Sequence, residues 1–196
     1  PFKKRLEPAA EKVLKDLCGG NMRLLQSELE KLALFVGEQA TIRTADVEAI
    51  VRRAREEEFR ELSDALGARD LKAALRYIGT ALDQDEPALK IHGAIASILR
   101  RMLEDRSRWA RLGFTSRTSQ RELESRGLPA LKEEMEAKGG RMPHPYVIWL
   151  GFQACMRFEV RELVKAMLAV AQADLSLKSG GQGRLVLDSL AMKICH

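Results

Sequence analysis

The sequence predicts an all-α fold, with a small helical bundle over residues 1–54 and a larger one over residues 57–196. Three observations carry that expectation. Apolar residues repeat at helical spacing in nearly every segment, and alternation at strand spacing never persists. Glycine and proline punctuate the repeats where helices stop and start. The run 52–58 is almost wholly charged, which places a linker or boundary between the two stretches.

In the first stretch, Pro8 suits the opening position of a helix, where a missing N–H costs nothing. Ala10, Val13, Leu14, Leu17 and Cys18 then form one apolar stripe that Gly19-Gly20 ends. Asn21 is placed to cap a second helix carrying Leu25, Leu29, Leu32 and Val36, with Gly37 as its stop. Thr44 is placed to cap a third, with Val47, Ile50, Val51 and Ala54 inward and Asp46 at the positive end of the helix dipole. Three short helices make a minimal layered bundle that reads as lacking a piece upstream.

In the second stretch, Glu56-Glu57-Glu58 suits the start of a helix carrying Phe59, Leu62, Ala65 and Leu66, which Gly67 stops. Asp70 caps the next, with Leu71, Ala74, Leu75, Ile78 and Leu82. Glu86-Pro87 starts a long helix reading Ile91, Ile95, Ile98 and Met102 on one face. If it runs to Gly113, it is about 39 Å long. Residues 115–141 turn polar and read as a peripheral insertion with little buried surface, holding a capping-box match at Ser119 and Glu122. Helical period resumes at Val147, Ile148, Gly151, Phe152 and Cys155. A further long helix follows, with Val160, Leu163, Val164, Met167 and Val170 expected inward. The turn from Lys178 to Gly183 leads to a last helix with Leu187, Leu190, Ala191 and Ile194, which completes a bundle or collar.

Composition excludes several classes. With 45% hydrophobic and 31% charged residues the chain is not a disordered tail. No apolar run approaches the ~18 residues that a membrane span needs. The opening Pro1-Phe2-Lys3-Lys4-Arg5 lacks a methionine and reads as a start inside a longer protein. Cys18, Cys155 and Cys195 form no ligand spacing and fit reduced thiols in the cytoplasm. The pair Cys195-His196 is a poor metal site at a chain end. The net charge of +5 weakly favours acidic partners, because 28 acidic residues are interleaved with 33 basic ones.

Catalytic signatures do not emerge. The sequence has neither a GxxxxGK[ST] phosphate loop nor a GxGxxG after a strand. The Gly180–Gly183 turn lies between two helices and reads as a plain interhelical turn. His92 reads as a packed or hydrogen-bonded helix residue, and His144, between two prolines, as part of a helix start. Two charged features remain. Arg100, Arg101, Arg106, Arg108 and Arg111, with Trp109 among them, suit the negative end of the long helix; the alternative is a phosphate contact on a stand-alone helical DNA-binding module. Asp174 sits late in an otherwise apolar helix and calls for a partner such as Lys178 at i+4.

The words Gly20-Asn21-Met22-Arg23-Leu24-Leu25-Gln26-Ser27-Glu28-Leu29-Glu30-Lys31-Leu32 resemble a lid helix in the delta-subunit family of bacterial DNA polymerase III clamp loaders. Thr44-Ala45-Asp46-Val47-Glu48, Phe59–Leu66 with Arg69-Asp70-Leu71, and Glu86-Pro87-Ala88-Leu89-Lys90-Ile91 continue the resemblance in the same order. His144-Pro145-Tyr146-Val147 and the run from Ala173 to Gly180 complete it. It covers most of the chain outside residues 115–141. The resemblance implies an AAA+ lid-like domain over 1–54 and a helical collar over 57–196. The collar would hold the subunit among the gamma/tau and delta prime subunits of a pentameric loader that places a sliding clamp on primed DNA. It also implies a cytoplasmic, membrane-free setting in DNA replication. The chain would have no cofactor and no catalysis of its own within the polymerase holoenzyme, a DNA-directed DNA polymerase and nucleotidyltransferase. The family's clamp-opening element belongs to an N-terminal domain that these residues do not include. Arg23 falls where related ATPase subunits carry a nucleotide-sensing arginine; a surface ion pair with Glu28 or Glu30 is the expectation here. Lys178 and Arg184, around an open glycine turn, are the candidate nucleic-acid contacts.

Overall fold

The computed structural model describes residues 4–18, 22–137, 139 and 142–196; the side chains of 23, 24 and 52–58 lie outside that description. Its elements are α1 (Pro8–Cys18), α2 (Met22–Phe35), α3 (Thr44–Val47), α4 (Arg53–Gly67), α5 (Leu71–Asp83), α6 (Ala88–Arg111), α7 (Gln120–Glu122), α8 (Leu128–Ala137), α9 (Pro145–Met156), α10 (Val160–Lys178) and α11 (Gly183–Cys195). Glu48–Arg52 and Leu123–Gly127 are π-helical turns. The all-α expectation holds. A two-residue strand, β1 (Arg5–Leu6), pairs in parallel with β2 (Thr41–Ile42), too short for any sequence alternation to reveal.

Two hydrophobic clusters form. The smaller gathers Ala10, Leu14 and Cys18 from α1, Leu32 from α2 with Val36 just past its end, and Ile42, Val47 and Val51 behind them. The predicted stripes supply these contacts, and the left-handed Gly37 (φ 56°) turns the chain after α2 as glycine does without penalty. The expected cap at Asn21 lies outside the described residues. Thr44 does not cap α3. It is the first helical residue, and the Asp46 carboxylate instead accepts from the Arg43 N–H at 2.8 Å.

The larger cluster runs from Leu62 to Cys195 with α6 at its centre, packed between α9 and α10 and touched by α5 and α11. Ile91, Ile95, Ile98, Leu99 and Met102 are its buried spine. Trp109 stands edge-on to Phe114 and Phe152 at 5.7 and 5.9 Å between ring centres, a favoured aromatic geometry. Gly67 lies against α9 so closely that an added Cβ would meet the Ala154 Cβ at 2.8 Å.

The structure departs from the sequence reading in four further places. The charged run 52–58 is helical, carried by the π turn and the start of α4. Residues 115–141 bury more than their polarity suggests, because Leu123 and Leu131 join the main cluster and Leu128 and Met135 pack against it. In α10, Val160 and Val164 face solvent, and Leu163, Ala166, Ala169 and Val170 are buried instead. Phe59, also expected inward, stays exposed beside buried Leu62 and Leu66.

Candidate assembly surface and charged sites

The arginine-rich end of α6 is built into the fold. Arg106 Nε donates to the Phe158 carbonyl at 3.0 Å. Arg108 donates to Glu134 of α8 at 2.8 Å and also to Asp105. Trp109, directly after Arg108 in sequence, is buried in the aromatic cluster. Burial pushes the Asp105 carboxyl above its usual range, with Arg108 pulling in the opposite direction. Arg100, Arg101 and Arg111 stay exposed on the outer side of the helix.

A second cationic corner forms where α4 meets α10. Arg69, left-handed at φ 57°, lies 4.1 Å from the Phe158 ring centre and bonds Glu162 at 2.7 Å. Glu162 also accepts from the Glu159 N–H at 2.7 Å in a capping box. That backbone bond, then the Arg69 guanidinium, hold the Glu162 carboxyl below its usual range. Arg157 reaches back to the Gly67 carbonyl at 3.2 Å. These groups tie the α9–α10 corner to the end of α4, a link between residues about ninety apart that local spacing does not signal.

The cations around the glycine turn are both engaged. Lys178 bonds Asp174 at 2.7 Å, the i+4 pair that the sequence suggested. Arg184 lies 3.5 Å from Asp83 and 3.9 Å from Asp188, with its guanidinium over Gly79. The turn itself is a helix cap: Gly180 is left-handed and the Gly181 N–H bonds the Ser176 carbonyl at 2.8 Å.

His92 is buried, and its Nε2 lies 2.9 Å from the Val170 carbonyl; a carbonyl only accepts, so this nitrogen carries the proton. His144 caps α9, its Nδ1 accepting from the Tyr146 N–H at 3.2 Å. The three cysteines are buried and none is in a disulfide. Among the described residues no group of three or more His, Cys, Asp or Glu is arranged to hold a metal ion, and no helix is long and apolar enough to cross a membrane.

The Arg23 side chain lies outside the described residues. Glu28, one of its expected partners, is only 4% exposed and pairs with Lys31 at 2.9 Å; Glu30 accepts instead from Gln26.

The most conspicuous uncovered surface is apolar. On α10, Val160, Val164, Leu168 and Leu175 are exposed, with Leu168 at 62% and Leu175 at 67%. At 100° per residue they fall within an arc of about 80°, opposite the buried side of the helix. On α11, Leu185, at 65%, and Met192 are exposed seven residues apart. Neither stripe was foreseen as a surface, although the signal was present: α10 has apolar residues at two sets of helical spacing, more than one buried face uses.

The model of the family described as DNA polymerase III delta subunit, C-terminal domain, matches residues 56–194. The DNA polymerase III subunit delta of Bacillus subtilis (strain 168) is 24% identical over 171 residues, which is 87% of this chain and 44% of that protein. The solved structure of the Bacillus subtilis DNA clamp loader delta protein aligns with 98% of this chain and 52% of its own, with a TM-score of 0.51 and 24% identity. The chain thus spans about half the length of these relatives, and the structural likeness establishes the shared helical fold. The family match embraces the larger hydrophobic cluster from Leu62 to Ile194, well over half of the sequence, and on that ground the chain belongs to the DNA polymerase III delta subunit family through its C-terminal domain.

Proposed function

We propose that this chain serves DNA replication as part of the delta subunit of a DNA polymerase III clamp loader, its helical bundle holding the subunit in the loader. The observation that carries this reading is the coincidence of the matched region, 56–194, with one continuous hydrophobic cluster. Residues 1–54 then form the AAA+ lid-like domain and 57–196 the collar. The partners are the gamma/tau and delta prime subunits. The sliding clamp is engaged by parts of the subunit outside these residues, and primed DNA is met in the assembled complex. The setting is the cytoplasm. The chain contributes architecture to the polymerase holoenzyme and performs no step of nucleotide transfer. Lys178 and Arg184 border the turn that would face DNA, each exchanging its carboxylate partner for a phosphate on binding. Arg23 is read as a vestige of nucleotide sensing.

Gel filtration of the chain mixed at micromolar concentration with the other loader subunits of the same organism tests the reading. Co-elution is the expected result; separate peaks would reject it.

A further inference from the structure

The net charge of the chain resides in one short stretch. Residues 100–121 hold seven arginines, no lysine and two carboxylates, a balance of +5 that equals the balance of the full sequence. Two of the seven arginines are engaged inside the fold, Arg106 with the Phe158 carbonyl and Arg108 with Glu134 and Asp105. The other five, Arg100, Arg101, Arg111, Arg117 and Arg121, are exposed and form no ion pair among the described residues. Neighbouring carboxylates are committed elsewhere: Asp105 and Glu134 to Arg108, Glu122 to Arg126, and Glu124 to Gln120. Folding thus takes up the local counter-charges and leaves the arginines facing water.

At 100° per residue, Arg100 and Arg111 lie about 20° apart around α6 and about 16 Å apart along it. Exposed Ser97 shares their arc, and so does exposed Glu104 between them. Arg117 and exposed Ser116 follow in the turn beyond the left-handed Gly113. This row is remote from the glycine turn. Gly183 packs on Ala88 at the start of α6, whereas Arg106 is tied to Phe158 about 27 Å further along the helix.

We infer, independently of the clamp-loader reading, that this arginine row is a contact for the phosphate backbone of duplex DNA, separate from the Lys178–Arg184 turn. Guanidinium groups hold phosphate oxygens with two parallel hydrogen bonds, and serine hydroxyls join them at such contacts. The ~16 Å between Arg100 and Arg111 spans about five base pairs, so the row meets several phosphates at once. Single strands call for aromatic platforms on which bases stack, and the rings of this stretch, Trp109 and Phe114, are buried. An acidic protein would call for an apolar anchor in the centre of its seat, and Leu112 at the edge of the row is only 36% exposed. Contacts limited to phosphates position the duplex and read no sequence.

The test is fluorescence anisotropy of the chain with a labelled duplex of about 24 base pairs between about 50 and 200 mM salt. The logarithm of affinity is expected to fall against that of salt with a slope of about −3 to −4, as for about four neutralised phosphates. Arg100→Ala/Arg111→Ala should weaken binding at least fivefold and reduce the slope by about 2. Glu104→Gln removes the carboxylate between them and should tighten binding about twofold, a gain that no folding defect imitates. Undetectable binding at the lowest salt would overturn the inference, as would an unchanged slope in the double arginine variant with helical circular dichroism intact. So would loss of binding confined to Lys178→Ala/Arg184→Ala, which would leave the glycine turn as the contact. Polyglutamate competing as well as unlabelled duplex of equal charge would make the partner an acidic polypeptide instead. A single strand bound as tightly as the duplex would also count against it. Co-elution with the loader subunits is read separately, so the clamp-loader reading stands or falls on its own.

Discussion

Arg108 Nε donates to Glu134 Oε2 at 2.8 Å across 26 residues of sequence, binding the end of α6 to α8. Nη2 reaches Oε1 of the same carboxylate at 3.4 Å, so the guanidinium grips it with two edges. Both side chains are partly shielded, at 19% and 32% exposed, and solvent screening limits the gain. Glu134→Gln is expected to cost about 1 kcal/mol in urea unfolding. Arg108→Ala should cost more, about 2–3 kcal/mol, because it also strips Asp105 of its partner in a partly buried place. A double-mutant cycle should return a coupling of about 1 kcal/mol. A coupling of zero would mean that α8 merely rests beside α6.

Leu123 supplies the sharper measure of how firmly residues 115–141 are held. It is fully buried in the main cluster, and an added Cβ on Gly127 would meet its Cδ1 at 2.9 Å. Leu123→Ala should therefore cost about 2–5 kcal/mol, as other buried leucine deletions do. Glu124→Ala on the exposed side of the same turn should stay within about 0.5 kcal/mol. Equal urea midpoints for both variants would restore the picture of a loosely attached insertion.

That segment also shows what the sequence could convey. Its two decisive leucines are diluted among charged residues, so average polarity concealed them. α6 was legible because Ile91, Ile95, Ile98 and Met102 mark a single face. α10 was only half legible: its period was plain, but both arcs are apolar, and no local rule says which one the core takes. Among the charged sites, Asp174–Lys178 followed from i+4 spacing, whereas Arg184–Asp83 joins positions about a hundred residues apart. The delta-family motifs located the domain but not its exposed apolar stripes, because a motif marks descent and an exposed stripe is defined by what remains uncovered after folding.

Gly67 sets the approach of α4 to α9. Its backbone leaves room for no side chain, since an added Cβ would sit 2.8 Å from the Ala154 Cβ. Gly67→Ala gains a little helix propensity, and Gly lies about 1 kcal/mol below Ala in helices. The overlap of two methyl groups forces the helices apart, and overpacking of this kind costs about 1–3 kcal/mol. Net destabilisation is expected in thermal melts. Adding Ala154→Gly should restore much of the loss by reopening the space. A single variant as stable as the parent would show that the helices shift freely.

Cys155 connects this packing to pH. Its thiol is buried and donates to the Phe152 carbonyl at 3.2 Å. Burial first, and the nearby Asp105 carboxylate second, push its pKa from the ordinary 9.0 to about 12. The folded state therefore favours the protonated thiol more than the unfolded state does. The stability from this preference is complete below pH 9 and is lost as pH rises from 9 toward 12. Cys155→Ala removes the preference along with the thiol. Its urea midpoint should fall less steeply than the parent's between pH 8 and pH 11, even if the small cavity lowers its starting value. Comparing slopes cancels the lysine and tyrosine titrations that both proteins share. Parallel slopes would mean that the thiolate is accommodated in the folded core.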